Sequence, residues 1–207
     1  MALDTYANLK TTVRKWTRRN DIDTFIDDVI DICEAEIYGN EVEPLNVREL
    51  EERATAVAST SSRYVALPTR YLSMRRLNIT TTNTTEVEQR APGALIIKTG
   101  SGRPRYFSAT SQIEFDKQPD AAYALEMLYF KKPAALSSSN TTNDILTNYP
   151  NIYLHGCAWA AFDFAGEELK ADARYKMFIS AIKGANKKDR KARFGPAPVM
   201  ATARSTP

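Results

Sequence analysis

The spacing of apolar residues changes twice along this chain of 207 residues, and no other feature limits the fold as strongly. Helical spacing of three and four occupies about residues 4–38 and returns over about residues 144–194. Between them, about residues 53–130 show the pattern of strands, among them a predicted strand over Ala94–Lys98, interrupted by regularly spaced turn residues. The sequence therefore excludes a single all-helical or all-β domain and predicts an α+β fold.

Neither helical segment is large enough to bury its own apolar face, so we expect the two helical hairpins to pack together. The apolar residues between Ile152 and Phe164 fall on most sides of one helix, which predicts that this helix is central and buried. The predicted architecture is mainly helical: a four-helix bundle carrying an inserted antiparallel β module. Residues 1–194 form one domain, and 195–207 form an extended C-terminal arm.

Composition limits the available chemistry. The chain has a net charge of +3, and His155 is its one histidine, so we expect no histidine-rich metal site, no cofactor and no enzymatic activity. No apolar run reaches the roughly 18 residues of a membrane span, and no secretory signal is apparent. Cys33 and Cys157 lie in apolar helical patterns, which favours buried free thiols over a disulfide.

Three groups of residues resemble functional motifs but fit them poorly. The acidic series between Asp21 and Asp31 lacks the glycine and terminal glutamate of a calcium loop, and it is interpreted as a solvated helix face. The segment 99–105 lacks the ending of a phosphate-binding loop and is interpreted as a hairpin turn flanked by arginines. Glu167–Glu168 and Glu86/Glu88 are weak candidates for the paired carboxylates of a glycoside hydrolase.

A basic run near the C-terminus is the strongest candidate site. Four of its cations, Lys183, Lys187, Arg190 and Lys191, follow helical spacing and fall on one face. Such a stripe attracts phosphate backbones without reading base sequence, although a solvated helix end explains it equally well. The complete set of cations assigned to this site is Lys183, Lys187, Lys188, Arg190, Lys191 and Arg193.

The last residues have no helical or strand period and no core. They are rich in proline, alanine, serine and threonine, and prolines lower the entropy cost of ordering an extended segment. We interpret this tail as an arm that docks on another chain, with Val199 and Met200 filling small pockets. The residues assigned to the arm contact are Phe194, Pro196, Pro198, Val199, Met200 and Arg204.

Two segments carry a family resemblance. The first is Arg63-Tyr-Val-Ala-Leu-Pro-Thr-Arg-Tyr-Leu72, followed by Met74-Arg-Arg-Leu77. The second is Tyr149-Pro150, followed by Tyr153-Leu154, Gly156 and Ala158-Trp159 at the start of a long helix. Together with a later helix that runs into a basic C-terminus, these segments resemble the head-to-tail adaptor proteins of tailed phages of the podovirus type. The similarity extends from Leu9 to about Phe194.

The resemblance implies a structural virion protein, assembled in the host cytoplasm and located at the head–tail junction. Such adaptors form a ring, generally of 12 copies, which binds the portal protein, extends the DNA channel for genome ejection and receives tail or nozzle proteins. It implies that the arm over about 194–207 reaches the portal. It also implies that Lys183–Arg193 lie near the portal or the channel, where genomic DNA passes without specific binding, and that the β module faces neighbouring subunits or the tail.

Two other functions remain open from the sequence. Some adaptor relatives have been credited with peptidoglycan hydrolysis, which would make the chain a virion-associated hydrolase, although no residue set supports that transfer. The basic helix end would alternatively serve a non-specific DNA-binding protein, which would bind DNA tightly and with a steep salt dependence.

Overall fold

A computed structural model describes residues 3–19 and 21–195 of the chain. These residues divide into two compact units, each with its own contacts. The helical unit comprises the residues up to Glu49 and those from Pro133 onwards, and the β unit comprises Leu50–Lys132. Within the described ranges, no helix combines the length and the apolar character that a membrane crossing requires.

The helical unit contains five α-helices among the described residues. They are α1 (Tyr6–Thr17), α2 (Ile26–Gly39), α3 (Asp144–Asn148), α4 (Pro150–Phe164) and α5 (Glu168–Phe194). The N-termini of two helices have side-chain caps: the Thr5 Oγ1 accepts a hydrogen bond from the Asn8 amide, and Asn143 caps α3 in the same way. Pro150 occupies the first turn of α4, where its missing N–H has no effect on the helix.

Helix α4 is the centre of the helical unit. The other four helices all pack against it, and nine of its fifteen residues are buried. The closest approach is at Gly156, where an added Cβ would lie 2.4 Å from the Cys33 Sγ of α2 and 3.0 Å from the Phe178 ring of α5. The prediction that this helix is central is confirmed, and the missing side chain at Gly156 lets both α2 and α5 approach it closely.

Ion pairs connect α1 to the first turn of α2 and to the segment that precedes α2. The Lys10 Nζ lies 2.7 Å from the Asp27 carboxylate, and Arg14 pairs with Asp23. The acidic series predicted to be a solvated face is therefore partly occupied by cations from α1. Both cysteines are buried and free, as predicted.

The β unit is one seven-stranded sheet with strand order β1-β7-β3-β4-β5-β6-β2. Its strands are β1 (Glu51–Ala58), β2 (Tyr64–Ala66), β3 (Tyr71–Ile79), β4 (Thr85–Gln89), β5 (Tyr106–Ala109), β6 (Gln112–Phe115) and β7 (Tyr123–Lys131). The pairs are antiparallel except that β4 and β5 run parallel. The end strands β1 and β2 contact each other through the short turn that joins them, so the sheet is nearly closed into a barrel.

The β unit has a core of its own. Alternate residues of each strand point inwards, as the period of two requires, and the inward set includes Leu77, Ile79, Phe107, Phe115 and Leu125. Every one of these five side chains is at most 1% exposed. The sheet is therefore a folded unit with its own interior.

The predicted four-helix bundle with a small inserted β module is wrong. A helix that is apolar on most sides accepts neighbours all round, so the helices surround α4 instead of pairing as two hairpins. The β segment forms a seven-stranded, nearly closed mixed sheet, not an antiparallel insert. One strand prediction is also wrong: Ala94 ends a short 3-10 helix, residues 95–98 are irregular, and Ile96 is 77% exposed.

Candidate functional site

The candidate site lies on the C-terminal half of α5, and α4 determines how α5 is held. The Trp159 ring of α4 packs against Tyr175 and Phe178 of α5, with ring centroids 5.2 and 6.4 Å apart. Further along α5, Ile182 and Ala185 are buried as well. At 1.5 Å per residue the 27-residue helix is about 40 Å long. The motif residues around Trp159 thus fix the core side of α5 and leave its opposite side exposed.

Five of the six predicted cations lie on the exposed side of α5. At 100° per residue, Lys183, Lys187 and Arg190 fall within a sector of about 60°, and Lys191 lies beside them. Lys188 lies further round the helix but is also exposed. We call Lys183, Lys187, Lys188, Arg190 and Lys191 the basic stripe. Within the described ranges none of the five forms an ion pair, so the stripe is a region of uncompensated positive charge.

Arg193 does not belong to the basic stripe. Its Nε lies 2.6 Å from the Asp189 Oδ2, and the Asp189 side chain is only 3% exposed. The Arg48 Nε approaches the other oxygen of the same carboxylate, at 3.5 Å. Asp189 points towards the core side of α5, so the arginine one turn later is turned away from the stripe. Its charge is paired with a buried carboxylate, and this part of the predicted site has a structural role.

A second buried polar cluster holds α2 and α4 together through residues of the family motif. The Tyr153 hydroxyl donates to the Glu34 Oε1 at 2.8 Å and accepts from the Asn143 Nδ2 at 2.8 Å. The Leu136 amide also donates to the Glu34 carboxylate, at 3.0 Å. Burial, then the neighbouring Tyr38 and Glu34, raise the pKa of Tyr153, which therefore remains a proton donor. The motif tyrosine is a structural residue in this fold.

The predicted arm lies almost entirely outside the described residues. The backbone of α5 extends to Phe194 and is followed by Gly195, whose φ of 71° is one that glycine adopts easily. The Phe194 side chain and residues 196–207, including Pro196, Pro198, Val199, Met200 and Arg204, lie outside the described residues. The arm assignment stays a prediction.

The candidates for acid–base catalysis do not have the environment that such chemistry needs. Lys170, and then Arg19, hold the pKa of Glu167 below its usual range, whereas a general acid requires a raised one. Glu88 is paired with Arg90 at 2.8 Å. His155 is partly buried, and burial together with Arg174 lowers its pKa. Among the described residues no group of histidine, cysteine, aspartate or glutamate could hold a metal ion.

The sequence interpretation missed a second cationic surface, on the β unit. Lys98, Arg103, Arg105 and Lys117 line one cleft of about 850 Å³ beside the Tyr106 ring. The signal was present in the glycine-containing segment 99–105, but two of the four cations come from outside it. The parallel pairing of β4 with β5 and a bridge between Ser101 and Gln118 bring them together, and neither is visible in residue spacing.

Comparison with known proteins gives one family. The model of the family described as "SU10 adaptor protein" matches residues 4–202, which is nearly the whole chain. A search of curated proteins found no match.

Proposed function

The chain belongs to the SU10 adaptor protein family, and we propose that it is the phage head-to-tail adaptor whose ring joins the portal to the tail. The match over residues 4–202 is the observation that carries this proposal. It agrees with the resemblance carried by the Leu67-Pro68 and Tyr149-Pro150 segments. A phage adaptor is a structural component of the virion, and its partners are portal and tail components.

We propose that the basic stripe faces the DNA channel or the portal. Five exposed cations without ion pairs on about two turns of helix attract phosphate groups from any sequence. The stripe has no interleaved aromatic residues, so bases have nothing to stack on. These features suit a surface past which DNA moves, since contact through charge alone does not fix the register of the DNA.

We propose that residues 194–207 form the portal-binding arm. The arm would continue from the end of α5, directly after the basic stripe, so both features would reach the same region of the assembly. A segment that becomes ordered on a partner adds affinity only when the partner is present. The adaptor would therefore stay monomeric until a portal ring offers the docking site, and assembly would follow the order portal, adaptor, tail. We propose a ring of 12 copies.

The test compares four samples by size exclusion coupled to light scattering. They are the full-length chain and a version ending at Gly195, each with and without portal protein from the same phage. The proposal expects only the full-length chain to join the portal as a multimer, while both versions alone remain monomeric. Stable rings without portal would overturn the assembly order, and failure of the full-length chain to engage the portal would overturn the adaptor function.

A parallel assay separates the adaptor from a non-specific DNA-binding protein, the function that the basic stripe would otherwise support. The monomer is titrated with duplex DNA at several salt concentrations. Tight binding whose affinity falls steeply with salt would favour DNA binding as the main function. Weak binding by the monomer is the result that a channel-lining adaptor predicts.

A further inference from the structure

The cationic cleft of the β unit is formed by a rigid main-chain framework. The buried Asp116 Oδ1 accepts hydrogen bonds from the amides of Arg105 at 3.0 Å and Tyr106 at 3.3 Å. The Lys98 amide donates to the Asp116 carbonyl at 2.7 Å, and the Gly102 amide donates to the Gln118 carbonyl at 2.9 Å. The segments on either side of the cleft are therefore connected at several points, and the backbone positions that carry the cations are held together.

The charges of the cleft are largely uncompensated. Arg105 and Lys117 have no ion pair within the described part of the chain, and Arg103 donates only to the Asn83 carbonyl and the Thr85 hydroxyl. The single acid near Lys98 is the buried Asp116, whose carboxylate is 3.8 Å from the Lys98 Nζ. The acids that line the cleft are Glu86 and Glu88, and Glu88 forms an ion pair with Arg90 at 2.8 Å. The cleft thus has an excess of positive charge and suits an anionic partner.

The surroundings of the cleft favour a protein surface over nucleic acid. Ile96 is 77% exposed and Ile97 is 41% exposed, next to a second hollow lined by Arg90, Leu95, Ile96 and Tyr106. A phosphate backbone has no apolar group that would bury these isoleucines. The Tyr106 ring is already covered by Arg90 at 4.8 Å and Lys98 at 5.6 Å, so it offers little open face for a base.

The helical unit has a surface of matching character. On the outer side of α2, Asp28 and Asp31 are exposed and have no ion pair within residues 3–19 and 21–195, unlike Asp23 and Asp27. Ile32, adjacent to Asp31, is 50% exposed. This face therefore combines two free carboxylates with an exposed isoleucine, whereas the cleft combines free cations with exposed isoleucines. The two surfaces are complementary in both charge and apolar character.

We propose that the α2 face of one copy (Asp28, Asp31 and Ile32) docks on the cationic cleft of the next copy (Lys98, Arg103, Arg105 and Lys117). The inference rests on the proposed adaptor ring and names the contact between its subunits. Because two different surfaces meet, the contact is heterologous, which is the type that closes into a ring when the rotation between copies divides a full turn. The partner of the cleft is therefore a second copy of this chain.

Charge reversal on each surface tests this contact in the presence of portal. One variant carries Asp28→Lys with Asp31→Lys, and the other carries Arg105→Glu with Lys117→Glu. Each variant alone places like charges together at every contact, so we expect at least about a tenfold loss of portal-assembled copies. Matched controls are Asp172→Lys and Arg76→Glu, exposed residues outside both surfaces, which should assemble like the unaltered chain. Thermal melts by circular dichroism show whether every variant is folded.

Mixing the two variants gives the decisive result. In an alternating arrangement each reversed α2 face meets a reversed cleft, and each unaltered face meets an unaltered cleft. We expect the mixture to recover assembly, and only rings with an even number of copies can alternate completely. If both variants assemble alone at the unaltered level, or if the mixture does not recover, the proposed contact is wrong. Loss of DNA or tail-protein binding in the cleft variant, without recovery on mixing, would assign the cleft to that partner instead.

A portal-independent measurement separates failure of this contact from failure of the adaptor function. Chains carrying Ile32→Cys together with Ile96→Cys are treated at high concentration with a short thiol–thiol crosslinker; the native Cys33 and Cys157 are buried. We expect a ladder of linked chains, because the crosslinker traps transient contacts between chains that are monomeric at equilibrium. A mixture of the two single variants should give only dimers, and no ladder should form when Arg76→Cys replaces Ile96→Cys. If the ladder forms but the chain does not bind the portal, the adaptor function is contradicted and the proposed contact is not. Absence of linkage both alone and on the portal would overturn the contact.

Discussion

Gly156 and Cys33 approach each other so closely that a Cβ on the glycine would lie 2.4 Å from the Cys33 Sγ. The Phe178 ring also lies only 3.0 Å from the position of the missing Cβ. One residue therefore determines how closely two helices pack on α4. One of those helices is α5, which carries the basic stripe, so packing at Gly156 is coupled to the geometry of the candidate site.

We expect Gly156→Ala to lower the free energy of unfolding by about 1–3 kcal/mol, because the new methyl group overpacks the contact with Cys33 and Phe178. The control is Gly184→Ala on the same helix as Phe178, where an added Cβ meets nothing within 4 Å. That substitution should stabilise the chain by about 0.5–1 kcal/mol through helix propensity. Urea unfolding measures both, and equal effects of the two substitutions would contradict the packing at Gly156.

The buried hydroxyl of Tyr153 gives a second prediction. We expect Tyr153→Phe to cost about 1–3 kcal/mol, because it removes a donor from the buried Glu34 carboxylate and leaves the Asn143 amide with only its longer hydrogen bond to the Ala134 carbonyl. Tyr149→Phe is the matched control, since that hydroxyl makes only long contacts of 3.3 and 3.4 Å to the Glu49 carboxylate. Thermal unfolding measures the loss of stability in both variants. If Tyr153→Phe loses no more stability than Tyr149→Phe, the hydrogen bonds of Tyr153 do not stabilise the fold as proposed.

The salt dependence of DNA affinity tests whether the basic run consists of an exposed stripe and a separate pair of Arg193 with the buried Asp189. Replacing Lys183, Lys187 and Arg190 by alanine should lower the slope of log affinity for duplex DNA against log salt. The expected decrease is about 0.9 for each phosphate group that the variant no longer neutralises. Stability should stay within about 0.5 kcal/mol, since the side chains are exposed.

Arg193→Ala should behave in the opposite way. It should leave the salt slope unchanged and lower the free energy of unfolding by about 1–3 kcal/mol, because Asp189 stays buried and its closest cation is removed. A lower salt slope without a loss of stability would place Arg193 on the stripe after all.

His155 predicts a loss of stability in mild acid. Burial, and then Arg174, lower its pKa in the folded chain from the usual 6.5. The unfolded chain therefore takes up a proton at higher pH than the folded chain, so stability falls as the pH drops below about 6.5 and levels off below the folded pKa. His155→Gln should flatten this part of a plot of unfolding free energy against pH. If His155→Gln and the unaltered chain show the same dependence of unfolding free energy on pH between pH 5 and 7, the loss of stability is not due to His155.

Asp27 provides the matched control at lower pH. The hydrogen bond from Lys10, and then that from Tyr6, lower its pKa from 3.8. A depressed carboxyl pKa contributes stability above the unfolded value, and that stability is lost as the pH falls through the folded value. Asp27→Asn should therefore change the profile below about pH 4 and leave the part due to His155 in place.

The elements whose pattern is determined locally could be predicted from the sequence. The helix from Pro150 to Phe164 is apolar on most sides, and this alone indicated its central position. The cations Lys183, Lys187 and Arg190 follow helical spacing, and they do lie on one exposed face. In both cases the relevant residues lie within a few helical turns, so long-range pairing does not affect the prediction.

Features that depend on pairing between distant residues could not be predicted. Alternation indicates a strand but not its partner, so the parallel pairing of β4 with β5 and the near closure of the sheet were missed. The segment Ala94–Lys98 was predicted as a strand but pairs with no strand of the sheet: Ala94 ends a 3-10 helix and residues 95–98 are irregular. Arg193 was assigned to the stripe by composition, whereas the buried Asp189 one turn earlier determines its position. The cationic cleft depends on the same long-range register.

The most direct test of the adaptor function is the mass of the portal complex. Native mass spectrometry of purified portal rings, before and after incubation with the full-length chain, gives the number of 23.2 kDa copies bound. We predict a single discrete mass gain corresponding to one complete adaptor ring of 12 copies. Portal rings whose mass does not change, under conditions where both proteins are folded, would contradict the adaptor function.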